Sequence, residues 1–184
     1  MDTINKFRQF RSKKLESIAT AIAKIGLTAN HLTFLSLCSG IAAIYFLFSN
    51  YYLFALLALL HLLFDGLDGV VARLTGPTIA GKYFDLISDS TITFLAILKV
   101  GLQLQEFYAY LAAGLFLLAL ITHLKSKLQA PMLFMRTVSL LFLLIVSYPL
   151  FPFTDMFLTV GYLSAGGVSL YSLSRQLQWY VEKK

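Results

Sequence analysis

Residues 51–76 read YYLFALLALLHLLFDGLDGVVARLTG, an apolar run that passes into two aspartates, three glycines and an arginine. The run from Tyr51 to Phe64 supplies only 14 residues, short of the roughly 20 that a helix needs to cross a hydrocarbon core. The helix completes a span only by continuing through Asp65 and Asp68, which puts two carboxylates at the membrane boundary. An ionisable side chain there costs roughly 3 kcal/mol or more unless it is paired or solvated in a cavity, so function is the default reading of such a residue.

The rest of the chain supports a bilayer protein. Of 184 residues, 58% are hydrophobic and 13% charged, and the mean hydropathy is +0.76, which leaves too little polar surface for a water-soluble globule. Apolar runs separated by short polar gaps predict an all-α polytopic protein with about six transmembrane helices, near 31–48, 51–72, 83–102, 107–126, 131–152 and 154–174. With the N-terminus in the cytosol, six alternating spans place every lysine and arginine except Lys99 on the cytosolic side, in keeping with the positive-inside rule. Both termini are therefore expected in the cytosol.

Ahead of the first span, Ile4, Phe7, Leu15, Ile18, Ile22 and Ile25 recur at helical spacing among basic residues, the pattern of an amphipathic helix lying in the headgroup layer. Residues 1–29 are read as this interfacial helix, 30–176 as one transmembrane catalytic domain and 177–184 as a short basic cytosolic tail. The early residues have no continuous apolar stretch of the kind a cleavable signal carries. The single cysteine, Cys38, excludes a disulfide within the chain.

Asp65, Asp68, Asp85 and Asp89 fall within 25 residues of one another. The first two are three apart and the last two four apart, so each pair shares one helix face, and a hairpin through residues 74–79 brings the faces together. Four such charges do not all ionise unaided, whereas a divalent cation neutralises them, and an all-oxygen set favours Mg²⁺ or Mn²⁺ over zinc. His31, His61 and His123 lie outside the cluster with no recognisable ligand spacing and read as structural. Gly66, Gly69 and Ala72 allow close approach to the helix, and Arg73 can reach a phosphate held by the metal. Metal, arginine and small residues together point to phosphate chemistry.

The stretch Asp65-Gly66-Leu67-Asp68-Gly69-Val70-Val71-Ala72-Arg73, followed by Gly81, Asp85 and Asp89, resembles the signature DxxDGxxAR...GxxxDxxxD of the CDP-alcohol phosphotransferase family. The segment between Arg73 and Gly81 is one residue shorter than is usual there, and Ala29-Asn30 stands where the family has Pro-Asn. The resemblance implies a transferase of phospholipid biosynthesis in the cytoplasmic membrane, commonly a homodimer. It would move a phospho-alcohol group from a CDP-alcohol, such as CDP-diacylglycerol, to a small polar hydroxyl acceptor and release CMP, with its active site at the cytosolic face and no nucleic-acid partner. On the matching positions, Asp65, Asp68, Asp85 and Asp89 would hold Mg²⁺ or Mn²⁺, Gly69, Ala72, Arg73 and Gly81 would shape the nucleotide site, and Asp89 would be the general base. An acceptor phosphate has Arg136, Lys125 and Lys127 as candidate partners, which favours glycerol 3-phosphate or inositol phosphate. A membrane prenyltransferase with Mg²⁺-bound pyrophosphate also uses paired acids, but with more spans and an Asn-containing motif. A carboxylate-based ion carrier is the other alternative, and it leaves Gly69, Ala72 and Arg73 without a purpose.

Overall fold

The computed structural model describes residues 17–183, and among these it is entirely helical. A short helix α1 (17–24) leads into α2 (Ala29–Phe46), α3 (Tyr51–Thr75), α4 (Ile79–Leu104), α5 (Phe107–Lys125), α6 (Arg136–Val146) and α7 (Thr154–Glu182). Four of them, α2, α3, α5 and α7, are long and apolar enough to cross a bilayer. Helix α4 has the length, at 26 residues, but carries Lys82, Asp85, Asp89 and Lys99. Helix α6 has 11 residues and is too short to span unaided.

The exterior is as apolar as the interior. Tyr45, Tyr52, Ile79, Leu102, Val138 and Leu150 are all more than 60% exposed, a surface that water would not tolerate and lipid does. Buried polar groups, among them Ser36, His61, Asp68, Ser88, Thr93 and Gln176, lie inside the bundle, where a membrane protein keeps them. The protein is a polytopic membrane protein.

Helix ends follow local chemistry. Thr28 caps α2 in a reciprocal box with His31, whose ring nitrogen accepts from the Thr28 amide at 3.2 Å. Asn50 caps α3 by accepting from the Leu53 amide, and Thr78 caps α4 by accepting from the Gly81 amide at 3.0 Å. Helix α3 stops at Gly76, whose φ of 93° suits a residue without Cβ, and Pro77 completes the turn into α4, which packs against α2 and α5.

Two apolar clusters hold the bundle. The larger joins Ile44, Phe54, Ile92, Phe116, Leu140 and Leu158 of α2 to α7. The smaller packs Ala19 of α1 against Leu32 of α2 and Leu67, Val70 and Val71 of α3, which seats α1 on the bundle while its Ile18 and Ile25 stay exposed. The earlier part of the amphipathic segment, with Ile4, Phe7 and Leu15, lies outside the described residues. At the crossing of α2 with α3 and α4, the Ser36 hydroxyl donates to the carbonyl of His61 at 3.1 Å, and His61 Nδ1 lies 2.8 Å from both the hydroxyl and the carbonyl of Ser36. A Cβ on Gly40 would sit 2.6 Å from Ile92 Cδ1 and 2.9 Å from His61 Nδ1, so only glycine permits the approach. Between α5 and α7 small residues do the same work: a Cβ on Gly166 would meet Ala112 Cβ at 3.3 Å.

Two expectations need correction. The apolar stretch 131–152 forms a helix only from Arg136 to Val146. Lys127 and Leu128 take positive φ and Pro131 follows, so the backbone is turned before α6 begins. This irregular segment is tied down: Ser126 accepts from the amides of Gln129 and Ala130, His123 Nδ1 donates to the Ala130 carbonyl at 2.6 Å, and Ser172 of α7 accepts from the Leu133 amide. Second, residues 177–182, read as part of a tail, continue α7 without a break to Glu182. No glycine or proline interrupts them, Arg175 donates to Gln178 one turn on, and Lys183 rests on the Trp179 ring at 4.2 Å.

Candidate active site

The turn at Gly76 and Pro77 leads from α3 into α4, both of which pack against α2, and carboxylates from the C-terminal part of α3 and the N-terminal part of α4 face one another there. Oxygens of Asp65, Asp68 and Asp85 lie within 4.8 Å of one another. Asp68 is buried and accepts a hydrogen bond at 2.8 Å from the hydroxyl of Thr33, on α2, which also donates to the Ala29 carbonyl at 3.1 Å. Asp89 stands apart from this triad. Its Oδ1 is paired with Nη1 of Arg136, whose Nη2 holds Oδ2 of Asp65 at 2.5 Å. One guanidinium thus forks between α3 and α4 in the planar two-point geometry that arginine favours.

The triad fits a divalent cation. Three carboxylates from two helices converge to a few ångströms and offer only oxygen; Arg136 pairs with Asp65 alone among them, and a small, highly charged cation would relieve their mutual repulsion more completely. Asp65, Asp68 and Asp85 would hold it. Of the four acids expected to share this role, the structure brings three together and gives the fourth, Asp89, to Arg136.

On the Asp68 and Asp85 side opens a pocket of about 340 Å³, within the range of small-ligand sites. Gly69 and Ala72 of α3 and Gly81 of α4 form part of its wall. A Cβ on Gly81 would come within 2.9 Å of Thr78 Oγ1 and 3.2 Å of Asn30 Oδ1, so the absence of a side chain keeps this wall thin. Arg73 follows Ala72 but is exposed and outside the lining. Two helix N-termini end at the pocket, α2 at Ala29 and Asn30 and α4 at Thr78 and Gly81, with Lys82 beside them. Unpaired amides and the positive ends of two helix dipoles suit phosphate groups. A series of neighbouring groups therefore leads from this pocket through Asp68 and Asp85 to Asp65, then to Arg136 and Asp89.

Among the acceptor candidates, Arg136 reaches the carboxylates. Lys125 and Lys127 are exposed at the start of the 126–135 segment. His31, His61 and His123 are each engaged in the structural hydrogen bonds described above, and none joins the triad.

Sequence reasoning missed Thr33 and the pairing of Arg136 with Asp89. For Thr33 the available signal is a hydroxyl one turn into an apolar span. The Arg136 pairing joins residues 47 positions apart, and no local pattern announces it. Thr33→Val keeps the shape and removes the donor, leaving an Asp68 oxygen unpaired. Mn²⁺ affinity, followed by electron paramagnetic resonance, is expected to fall about tenfold, as for other outer groups that orient metal ligands, while Thr33→Ser stays near wild type. Equal affinity in all three proteins would show that the hydroxyl does not orient Asp68.

Comparison with known proteins bears on this geometry. The model of the CDP-alcohol phosphatidyltransferase family matches residues 26–167, from the turn before α2 into α7. The inner membrane protein YnjF of Escherichia coli (strain K12) is 37% identical over 88 residues, a stretch amounting to 47% of this chain and 42% of that protein. The match thus spans less than half of either protein.

Proposed function

The chain belongs to the CDP-alcohol phosphatidyltransferase family, membrane enzymes that transfer a phospho-alcohol group from a CDP-alcohol, and from this premise we propose that its donor is CDP-diacylglycerol and its acceptor a small phosphorylated alcohol, glycerol 3-phosphate or inositol phosphate. The observation that carries the proposal is the carboxylate triad, two of whose members, Asp68 and Asp85, line a pocket at which the first turns of two helices end.

In this reading Gly69, Ala72 and Gly81 leave room for the cytidine diphosphate, and the first turns of α2 and α4, with Lys82, receive its phosphates. Arg73, next to Ala72, adds positive charge on the same side. Asp65, Asp68 and Asp85 hold Mg²⁺ or Mn²⁺, which when bound withdraws charge from the pyrophosphate and from the departing CMP. Arg136 takes the acceptor phosphate, and Asp89 accepts the proton of the attacking hydroxyl. The acceptor oxygen forms its bond to the phosphorus bearing the lipid alcohol, the bond from that phosphorus to the CMP oxygen breaks, and the electron pair leaves with CMP. Six spans with both termini and the site at the cytosolic face of the cytoplasmic membrane fit the charge distribution, with a homodimer as the working unit.

The test is CMP release by detergent-solubilised protein given CDP-diacylglycerol, Mg²⁺ or Mn²⁺ and, in turn, glycerol 3-phosphate, inositol phosphate, inositol and serine. Release with one phosphorylated acceptor, lost without metal and reduced about 10³-fold in Asp89→Asn, supports the proposal. Release with serine or inositol alone replaces the acceptor class, and no release with any of them overturns the choice of donor.

A further inference from the structure

We propose that Ser172 is a positioning residue: by holding the Leu133 amide it fixes the start of α6, and with it Arg136, from outside the acidic site. The inference rests on the reaction proposed above only for one of its two readouts.

Arg136 has an exacting task and little support from its own helix. Its guanidinium reaches Asp65 on α3 and Asp89 on α4 at once, and one planar group serves two carboxylates on different helices only while its backbone stays in place. Yet Arg136 is the first residue of α6, whose N-cap, Met135, makes no side-chain hydrogen bond. Residues 126–135 ahead of it are not helical, and Lys127 and Leu128 among them take positive φ. A helix start without a capping side chain frays, and fraying here would carry the guanidinium away from the acids.

The missing support comes from α7. The hydroxyl oxygen of Ser172, which is only 2% exposed, accepts from the Leu133 amide at 3.2 Å. Only Phe134 and Met135 separate that amide from Arg136. Ser172 in turn stands on a fixed post. One turn further along the same face, the wholly buried Gln176 donates through Nε2 to the Ala119 carbonyl of α5 at 3.0 Å. Nearly two turns before Ser172, a Cβ on Gly166 would stand 3.3 Å from that of Ala112 on α5. These contacts set the register of α7 against α5 on either side of Ser172. At the end of α7, Lys183 also holds Gln129, so the irregular segment is tied to this helix at two points. Ser172 thus does for α6, from a neighbouring helix, what a capping residue does from within. Ser172→Ala removes the acceptor but leaves the Gln176 and Gly166 contacts, so α7 keeps its place.

The first measurement is hydrogen–deuterium exchange of the full chain in detergent. The Ser139 amide donates to the Met135 carbonyl at 2.8 Å, where the backbone ladder of α6 begins. In Ser172→Ala, exchange should quicken about tenfold at Leu133 and at Ser139 alike, with α3 and α5 unchanged, because local opening exposes such amides. Ser172→Thr keeps the hydroxyl and should stay near wild type. The second measurement is a double-mutant cycle on CMP release from CDP-diacylglycerol with whichever acceptor the wild-type protein uses. Ser172→Ala should lower turnover about tenfold, as loss of an outer group that orients a site does. In the Arg136→Gln background it should lower turnover no further, because the two residues act as one unit. Faster exchange at Leu133 with Ser139 unchanged would confine Ser172 to its own segment and overturn the proposal. An equal loss of turnover in both backgrounds would overturn it too, since Ser172 would then act other than through Arg136. Wild-type protein that releases no CMP sinks the proposed reaction instead, and exchange at Ser139 then decides the anchor alone.

Discussion

Asp68→Asn is expected to lower CMP release at least about 10³-fold without destabilising the metal-free protein. Asp68 belongs to the triad, lines the pocket beside it and is fixed by Thr33, so under the proposed function it would join the cation site to the nucleotide's phosphates. An amide fills the same space and still offers Thr33 an oxygen, but it brings no charge to a divalent ion. Removing one of three mutually repelling carboxylates also relieves the apo protein, so its unfolding temperature in chelator should stay level or rise. Wild-type protein should gain stability when Mn²⁺ is added, because a ligand that binds only the folded state stabilises it by RT ln(1 + [L]/Kd). Asp68→Asn should lose most of that gain. A variant that unfolds early in chelator would mean that Asp68 supports the fold, and one that keeps full activity would remove it from the metal site.

The second large effect concerns packing. Gly40→Val should lower stability by about 1–3 kcal/mol, the usual cost of forcing extra atoms into a filled interior, and should reduce activity as well. A Cβ alone would press on Ile92 and on the His61 ring, neither of which can move freely, because Ile92 is wholly buried and His61 is locked to Ser36. Relief requires α2 to move away from α3 and α4. His61 lies one turn before Asp65, Ile92 follows Asp89 by three residues, and Thr33 sits on the displaced helix, so the separation reaches both halves of the acidic site. Thermal unfolding in detergent, read beside Mn²⁺ affinity, checks this. Gly114→Val on α5 is the control, since a Cβ there meets nothing within 4 Å. If both variants unfold at the wild-type temperature, the α2 crossing is looser than its geometry indicates.

The helices were legible because a bilayer reduces the problem to counting apolar residues between polar gaps. The stretches read at 51–72 and 107–126 correspond to α3 and α5 almost residue for residue. That reading fails where hydropathy and helicity part company. The residues from Pro131 to Met135 are as apolar as a span, but they follow two positive-φ residues and open with a proline, and apolarity carries no information on backbone dihedrals. The acids were legible for the same electrostatic reason that made them conspicuous: carboxylates in an apolar run need a purpose, and helical spacing puts each pair on one face. Their division into a triad and a paired Asp89 was not legible, because it depends on where an arginine 47 residues away comes to rest. Arg136 already stood out from Lys125 and Lys127 as a partner for an acceptor phosphate, because it falls inside an apolar stretch whereas the lysines read as topology signals. The fold separates them by starting α6 at Arg136, and the two lysines remain exposed.

The shortness of α6 has a consequence for the depth of the site in the membrane. Eleven residues rise roughly 16 Å, about half the thickness of a hydrocarbon core, and the peptide groups of the irregular segment before it cannot face acyl chains without forfeiting hydrogen bonds. Ser126, Ser172 and His123 satisfy some of them, and water has to serve others. The segment before Arg136 therefore belongs near the membrane boundary, where water or headgroups can reach its peptide groups, and a helix that starts there keeps Arg136 and the carboxylates it pairs with close to that boundary and away from the bilayer centre.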